Sequence, residues 1–321
     1  MNIPAIPKVP QAIRDAASKG ELVIFIGAGV SKIIGCPSWK EFALKYLDTL
    51  RDSGRINFFE YERLSEEDPK RLLTICQRII KDEKLQTPDI SRMFDGKPDK
   101  IKKHRIYENL YGFNAIYVTT NYDKHLDNVA SKSRNRSKPV TSSGGDDSVQ
   151  QDPDPGSALI VFKEEDLLIS ALDNGNVIHI HGSVDDPSQL VVTFSDYVTR
   201  YENGSRTSEL LKEIFKTRTV LFVGYGLDEY EIIEFVIRKS EVDRGEVRHY
   251  MLFSAFKEEG KLTELLSNYY KELGVELVPY SKTRNGYDQL VKVLKSWAKE
   301  IGPTSRPLDF IEKRKLIEEV I

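Results

Sequence analysis

Four short stretches of the chain bring together glycines, amides, carboxylates and imidazoles in patterns suited to handling a bound ligand, and each follows an apolar run. In Gly27-Ala28-Gly29-Val30-Ser31, two glycines let the backbone come close to an anionic group, and the peptide N–H groups of a loop entering a helix favour negatively charged oxygen. Lys32 stands where a dehydrogenase-type fingerprint has its third glycine, which argues against hydride transfer. The same Gly-x-Gly also reads as nothing more than a tight strand-to-helix turn. In Thr119-Thr120-Asn121-Tyr122-Asp123, an amide that donates and accepts lies two residues from a carboxylate that accepts, a pair suited to sugar hydroxyls and a carboxamide. Asn121 or Asp123 equally suits the cap of a helix carrying Leu126 and Val129. His179-Ile180-His181-Gly182-Ser183 puts two imidazoles on one face of a strand, the geometry of a metal pair or of one working and one packed histidine. Val223-Gly224-Tyr225-Gly226-Leu227 again places glycines where backbone meets ligand, with Asp228 and Glu229 as favourable charges in the first turn of a following helix.

Such groups act only if rigid elements hold them. Gln11 to Lys19 suits a short helix, and Glu21 to Ile26 reads as a strand buried on both faces. Ser38 is a suitable N-cap for a helix with Trp39, Phe42, Ala43, Tyr46, Leu47 and Leu50 along one side. Residues 56–112 continue as helical segments, with Leu72, Leu73, Ile75, Cys76, Ile79 and Ile80 on one face, so that about 40–112 reads as a helical insertion beside a sheet. Further strands are expected at Ala115 to Thr119, Leu159 to Phe162, Asn176 to His181, Leu190 to Thr193, Thr219 to Val223, Arg248 to Phe253 and Val275 to Val278. Strands alternating with helices predict an α/β fold, a doubly wound, mostly parallel Rossmann-like sheet. Ligands of such sheets lie beyond the carboxyl ends of the strands, where all four motifs fall. The last strong helix has Tyr287, Leu290, Val291, Leu294, Trp297 and Ala298 on one face and stops at Gly302-Pro303. Ser131 to Ser157 carries almost no apolar side chains and predicts a long excursion from the core, one that can be shortened without loss of folding. Residues 1–301 therefore read as one domain and 302–321 as a linker and helical tail.

Composition narrows the classes. With 321 residues, 40% hydrophobic and 30% charged, the chain is globular rather than disordered. Its 47 Lys and Arg against 50 Asp and Glu supply no global basic field for nucleic acid. The basic clusters Lys97 to Arg105 and Lys132 to Lys138 read as solvated surface. Two cysteines, Cys36 and Cys76, build neither a disulfide scaffold nor a four-ligand zinc site, which suits a reducing compartment. The N-terminus lacks a basic region followed by an apolar one, and Leu22 to Val30, the longest near-continuous apolar run, is too short for a membrane span, so a cytoplasmic protein is expected.

Taken in order, the motifs resemble those of the sirtuin family from Gly27 to about Tyr280. Gly27-Ala28-Gly29-Val30-Ser31 followed by Gly35-Cys36-Pro37-Ser38-Trp39 is similar to that family's glycine loop and its continuation. Thr120-Asn121-Tyr122-Asp123 resembles the Gln-Asn-Ile-Asp stretch that faces nicotinamide and its ribose. His181-Gly182-Ser183 resembles the His-Gly of the catalytic histidine, and Gly224-Tyr225-Gly226 the Gly-Thr-Ser beside the cofactor's ribose and phosphates. The family's protein deacetylases carry a four-cysteine zinc module between the last two motifs, whereas Gly182 to Gly224 contains no cysteine. What remains resembles the divergent sirtuin-like domains of bacterial anti-phage defence, and implies an NAD+ glycohydrolase that needs no metal and depletes cellular NAD+ in abortive infection. The resemblance implies that Asn121 positions water and the ribose, that His181 acts as base toward a ribose hydroxyl or water, and that Asp123 accepts from the carboxamide. Ala28, Gly29 and Ser31 would hold the pyrophosphate, with Gly27, Gly224, Tyr225 and Gly226 completing the cofactor site. A deacylase without zinc, and a non-catalytic NAD or ADP-ribose sensor, stay open as alternatives.

An NAD+ hydrolase active at all times would harm its own cell, so control by assembly, by a further domain or by a phage-derived or partner-protein activator is expected. Leu308, Phe310, Ile311, Leu316, Ile317, Val320 and Ile321 give the tail an apolar face, which predicts a homo-oligomer or further domains of a larger chain. No membrane partner is expected, and nucleic acid is not indicated.

Overall fold

The run Leu-Val-Ile-Phe-Ile has no polar side chain to offer solvent on either face, so as a strand it must be covered on both sides. In the computed structural model, which describes residues 2–135, 158–226, 232–236, 249–282 and 288–301, it is β1 (Leu22–Ile26), fully buried at the middle of a sheet. The other strands are β2 (Ile116–Thr119), β3 (Ile160–Val161), β4 (Val177–His179), β5 (Thr219–Val223), β6 (His249–Ala255) and β7 (Val275–Ser281). All pair in parallel, in the order β3-β4-β2-β1-β5-β6-β7. This is the expected α/β, doubly wound arrangement: from β1 the chain builds one half of the sheet, then returns to the other side of β1 for β5 to β7.

Alternation along β1 divides the core. Leu22, Ile24 and Ile26 face one apolar cluster and Val23 and Phe25 the other. The first cluster receives α1 (Gln11–Lys19), α3 (Trp39–Asp52), α5 (Pro69–Asp82), α8 (Ile106–Tyr111) and the helix Asp288–Ile301. The second receives α11 (Arg206–Thr217) through Leu210, Leu211, Ile214 and Phe215. Between β1 and β2 the chain also forms α2 (Ala28–Ile33), α4 (Phe58–Ser65), α6 (Ile90–Met93) and α7 (Pro98–His104), which is the expected helical stretch; α9 (His125–Asn135) follows β2 and α10 (Phe194–Tyr201) follows β4. Ser38 caps α3 as expected, in a reciprocal capping box with Glu41. These hydrogen bonds hold the Glu41 carboxyl below its ordinary pKa.

Leu190 to Thr193 does not join the sheet. The N–H groups of Val192 and Thr193 bond the Asp196 carboxylate in the capping box of α10, and that of Val191 bonds the His181 carbonyl, so the donors a ladder would need are spent elsewhere. Ser131 to Asn135, expected in the polar excursion, instead complete α9. Residues 136–157, Leu227, Asp228, Glu229, Arg248, Tyr287 and the 302–321 tail lie outside the described residues. Among the described residues no helix is long and apolar enough to cross a membrane.

Candidate active site

The register of the central strands sets the site. Val223, Ile26, Thr119 and His179 are Cα partners across β5-β1-β2-β4, so the four motif-bearing loops leave the sheet at one level, at the switch point beside β1. They surround a cleft of about 620 Å³. Ala28, Gly29, Ser31, Asn121, His181, Gly224, Tyr225 and Gly226 all line it, whereas Gly27 and Asp123 lie behind its wall.

The glycines serve contact between loops. Gly27 N–H bonds the Val223 carbonyl at 3.0 Å and Gly29 N–H the Gly224 carbonyl at 2.8 Å. A Cβ at Gly27 or Gly29 would fall 2.7 or 2.8 Å from that Gly224 oxygen, and one at Gly224, whose φ is +63°, would fall 2.7 Å from Val30 nitrogen. The Gly29 N–H expected to face a pyrophosphate is thus committed to protein, and the glycines' first role is to let two loops touch.

Asn121 is anchored at three points. Its backbone N–H bonds Thr119 Oγ1 at 3.0 Å, its side-chain Nδ2 donates to the Gly27 carbonyl at 3.0 Å, and its own carbonyl meets His179 Nδ1 at 3.0 Å. With the amide nitrogen tied to Gly27, the oxygen is the end offered to the cleft. Asp123, buried, accepts from Ser31 Oγ at 2.5 Å and Tyr107 Oη at 3.0 Å on Oδ2, and from His125 N–H at 3.2 Å on Oδ1. It is therefore a support for Ser31 and for the start of α9, and its oxygens point into protein rather than at a ligand.

The two histidines separate in role. His179, fully buried, sets Nε2 against Asp127 Oδ1 at 2.8 Å. Burial opposes its charge, but Asp127, its hydrogen bond, the Asn121 carbonyl and Asp123 outweigh that and raise its pKa. His181 Nε2 lies 2.6 Å from Tyr201 Oη, and the ring sits edge-on to Tyr197 at 5.1 Å. Burial, then Arg200 and Lys70, push His181 down to about 3, so it is a neutral imidazole at physiological pH. Arg200 is itself buried, donating to the Ile180 and Gln189 carbonyls and pairing with Glu164 at 3.2 Å. The imidazoles thus face different partners, and among the described residues no three potential ligands gather for a metal.

Sequence reasoning did not foresee the aromatic lining of the cleft. Trp39, Phe42, Phe94 and Tyr122 line the cleft as an aromatic group with ring centroids 5.5 to 6.0 Å apart. Lys70, just inside α5, stands 3.6 Å from the Tyr197 ring centroid. Trp39 was legible as the end of the glycine-loop continuation and Tyr122 as part of the Asn121 motif, while Phe42 read only as an apolar helix face and Phe94 gave no signal. The one available signal on the other side was Tyr197 and Tyr201, an i, i+4 aromatic pair shortly after the histidine motif.

A parallel α/β sheet with its cleft at the strand switch point is the doubly wound arrangement whose ligands bind beyond the strand ends. Residues 115–278, just over half of the chain, match the sequence model described as SIR2-like domain, and the chain belongs to that family. The match takes in Asn121, His181 and Gly224, while the Gly27 loop precedes it. The chain is 26% identical over 227 residues to Defense-associated sirtuin 2 of Bacillus subtilis, covering 68% of this chain and 19% of that protein. It is 24% identical over 245 residues to NAD(+) hydrolase ThsA of Cytobacillus dafuensis, covering 74% and 42%, and 23% identical over 287 residues to NAD(+) hydrolase ThsA of Bacillus cereus (strain MSX-D12), covering 84% and 52%. The chain spans about a fifth to a half of the length of these curated relatives.

Proposed function

We propose that the chain is an NAD+ glycohydrolase that cleaves NAD+ into ADP-ribose and nicotinamide. The observation that carries this reading is that Asn121 and His181, from the loops after adjacent strands, line one cleft together with the aromatic group of Trp39, Phe42, Phe94 and Tyr122. The bond that breaks joins the ribose anomeric carbon to the pyridinium nitrogen. Nicotinamide leaves as a neutral molecule, so no acid is required; the ribose becomes oxocarbenium-like and water adds to it, releasing one proton. Asn121 offers an amide oxygen to orient water or a ribose hydroxyl, and the neutral His181 imidazole accepts the proton. The aromatic group supplies apolar surface against which a planar ring can pack.

The relatives' printed names, NAD(+) hydrolase and Defense-associated sirtuin, support the same chemistry and a role in defence by NAD+ depletion. Control by self-assembly, by a further domain or by an activator belongs to this proposal. Incubation with NAD+, with and without an acylated peptide, tests it. Free ADP-ribose formed without peptide is the expected result; cleavage that depends on peptide would make the protein a deacylase, and binding without cleavage a sensor.

A further inference from the structure

His179 has no part in the chemistry above, yet it is the most completely enclosed ionisable group beside the cleft. Its two ring nitrogens face two acceptors: the Asn121 carbonyl at 3.0 Å from Nδ1 and the Asp127 carboxylate at 2.8 Å from Nε2. A carbonyl donates nothing, and neither does an ionised carboxylate. A neutral imidazole carries one N–H, so it would satisfy one of these oxygens and turn a lone pair on the other in a fully buried setting. Only the doubly protonated ring serves both. The charged groups acting on it are the carboxylates of Asp127 on α9 and Asp123 in the loop after β2, and both favour the cation. His181, expected on the same strand face, lies beyond the end of β4 at His179 and is turned to Tyr201 instead.

We propose that His179 is the positioning residue of the site, held as an imidazolium that clamps the backbone of Asn121 to Asp127. Nδ1–H fixes the Asn121 carbonyl, the Gly27 carbonyl fixes the side-chain nitrogen, and the amide oxygen is thereby aimed into the cleft. Loss of the Nδ1 proton sets two lone pairs against each other, and the loop after β2 must move to relieve them. The catalytic consequence rests on the NAD+-cleaving reading; the protonation of His179 does not.

The test combines 15N NMR of the histidine side chains with the pH dependence of nicotinamide release, in the wild-type chain and in Asp127→Asn, which keeps the shape but removes the charge. Expected in the wild type are two protonated His179 ring nitrogens at pH 6.5, a titration midpoint above that value, and an alkaline fall in kcat with the same midpoint and little change in KM. In Asp127→Asn both midpoints should move down together by at least one pH unit. A purely structural histidine would leave the pH profile where it is. An unprotonated His179 nitrogen at pH 6.5, or an alkaline limb of kcat that does not follow the NMR midpoint, overturns the proposal. If Asp127→Asn does not fold, the two wild-type midpoints decide the matter alone. Wild-type protein that cleaves no NAD+ at any pH overturns the functional reading, and the NMR spectrum still decides whether the imidazolium exists.

Discussion

The His181 ring is kept neutral by its burial and by two cations, Arg200 and Lys70, while Tyr201 fixes its Nε2. In the proposed reaction His181 is the proton acceptor and Asn121 orients the group that gives the proton up; the ring is in the neutral form this requires, and its pKa of about 3 makes it a weak base in the ligand-free site. His181→Ala and Asn121→Ala should each lower nicotinamide release to background while circular dichroism and melting still report a folded protein; wild-type turnover in His181→Ala would remove that residue from the mechanism. The same environment has a consequence for stability. The unfolded chain protonates His181 near its ordinary value of about 6.5, the folded protein only near 3, so between these values the unfolded state binds the extra proton and stability falls as the pH is lowered. His179 has the opposite sign: its contribution is present below about 6.5 and is lost as the pH rises through its raised pKa. Urea unfolding of His181→Gln should therefore show a smaller loss of stability between pH 7 and 4 than the wild type. Equal slopes in the two proteins would mean that His181 is not buried as a neutral ring.

At the scale of elements, the site depends on two loops joined by backbone hydrogen bonds at Gly27 and Gly29. Gly224 combines a φ of +63° with only 2.7 Å between an added Cβ and the Val30 nitrogen, whereas Gly54, at a φ of +70°, has nothing within 4 Å of such an atom. Gly54→Ala should cost about 1 kcal/mol, the price of the left-handed conformation alone. Gly224→Ala adds a backbone collision and should cost about 3 kcal/mol or more, with loss of nucleotide binding as α2 is pushed from β5. Denaturant titrations of the two variants make the comparison, and equal costs would show that the loops tolerate separation. A similar dependence links β2 to β4. Tyr122 donates to the Val191 carbonyl at 2.6 Å and accepts the Val184 N–H on its own carbonyl at 2.9 Å, so the loops bearing Asn121 and His181 are braced against each other.

Over the whole molecule, the two ends of the described chain meet. Trp297 Nε1–H bonds the Pro7 carbonyl at 2.8 Å, Gln289 Nε2 the Ala5 carbonyl at 2.7 Å, and the Ser281 N–H the Pro4 carbonyl at 2.7 Å. Trp297 is among the largest fully buried side chains, so its bond to Pro7 lies where water cannot replace it. Trp297→Phe, which keeps most of the apolar volume and deletes the donor, should cost about 1–3 kcal/mol and loosen the N-terminal segment, seen as faster amide exchange around residues 5–9. Unchanged exchange would show that the segment is held by its side chains alone. By contrast, the half-exposed Arg14–Glu300 pair beside it should contribute about 1 kcal/mol or less.

The sequence by itself determined the class of fold and the address of the site. An all-apolar run such as Leu22–Ile26 has one way to be buried, and helices between such runs force parallel pairing, which places whatever follows each strand at the same edge. Asn121, His181 and the glycine loops were legible for that reason. Only the tertiary structure decided which way groups face and what they touch. Asp123 reads as a ligand for a carboxamide until Tyr107, from a helix of the insertion, is seen to share its oxygen with Ser31. Leu190 to Thr193 reads as a strand until Asp196 takes its N–H groups. The aromatic wall of Trp39, Phe42, Phe94 and Tyr122 and the clamp of His179 between Asn121 and Asp127 are contacts between segments far apart in the chain. Periodicity reports which face of an element is buried, and partners across such distances leave no mark in it.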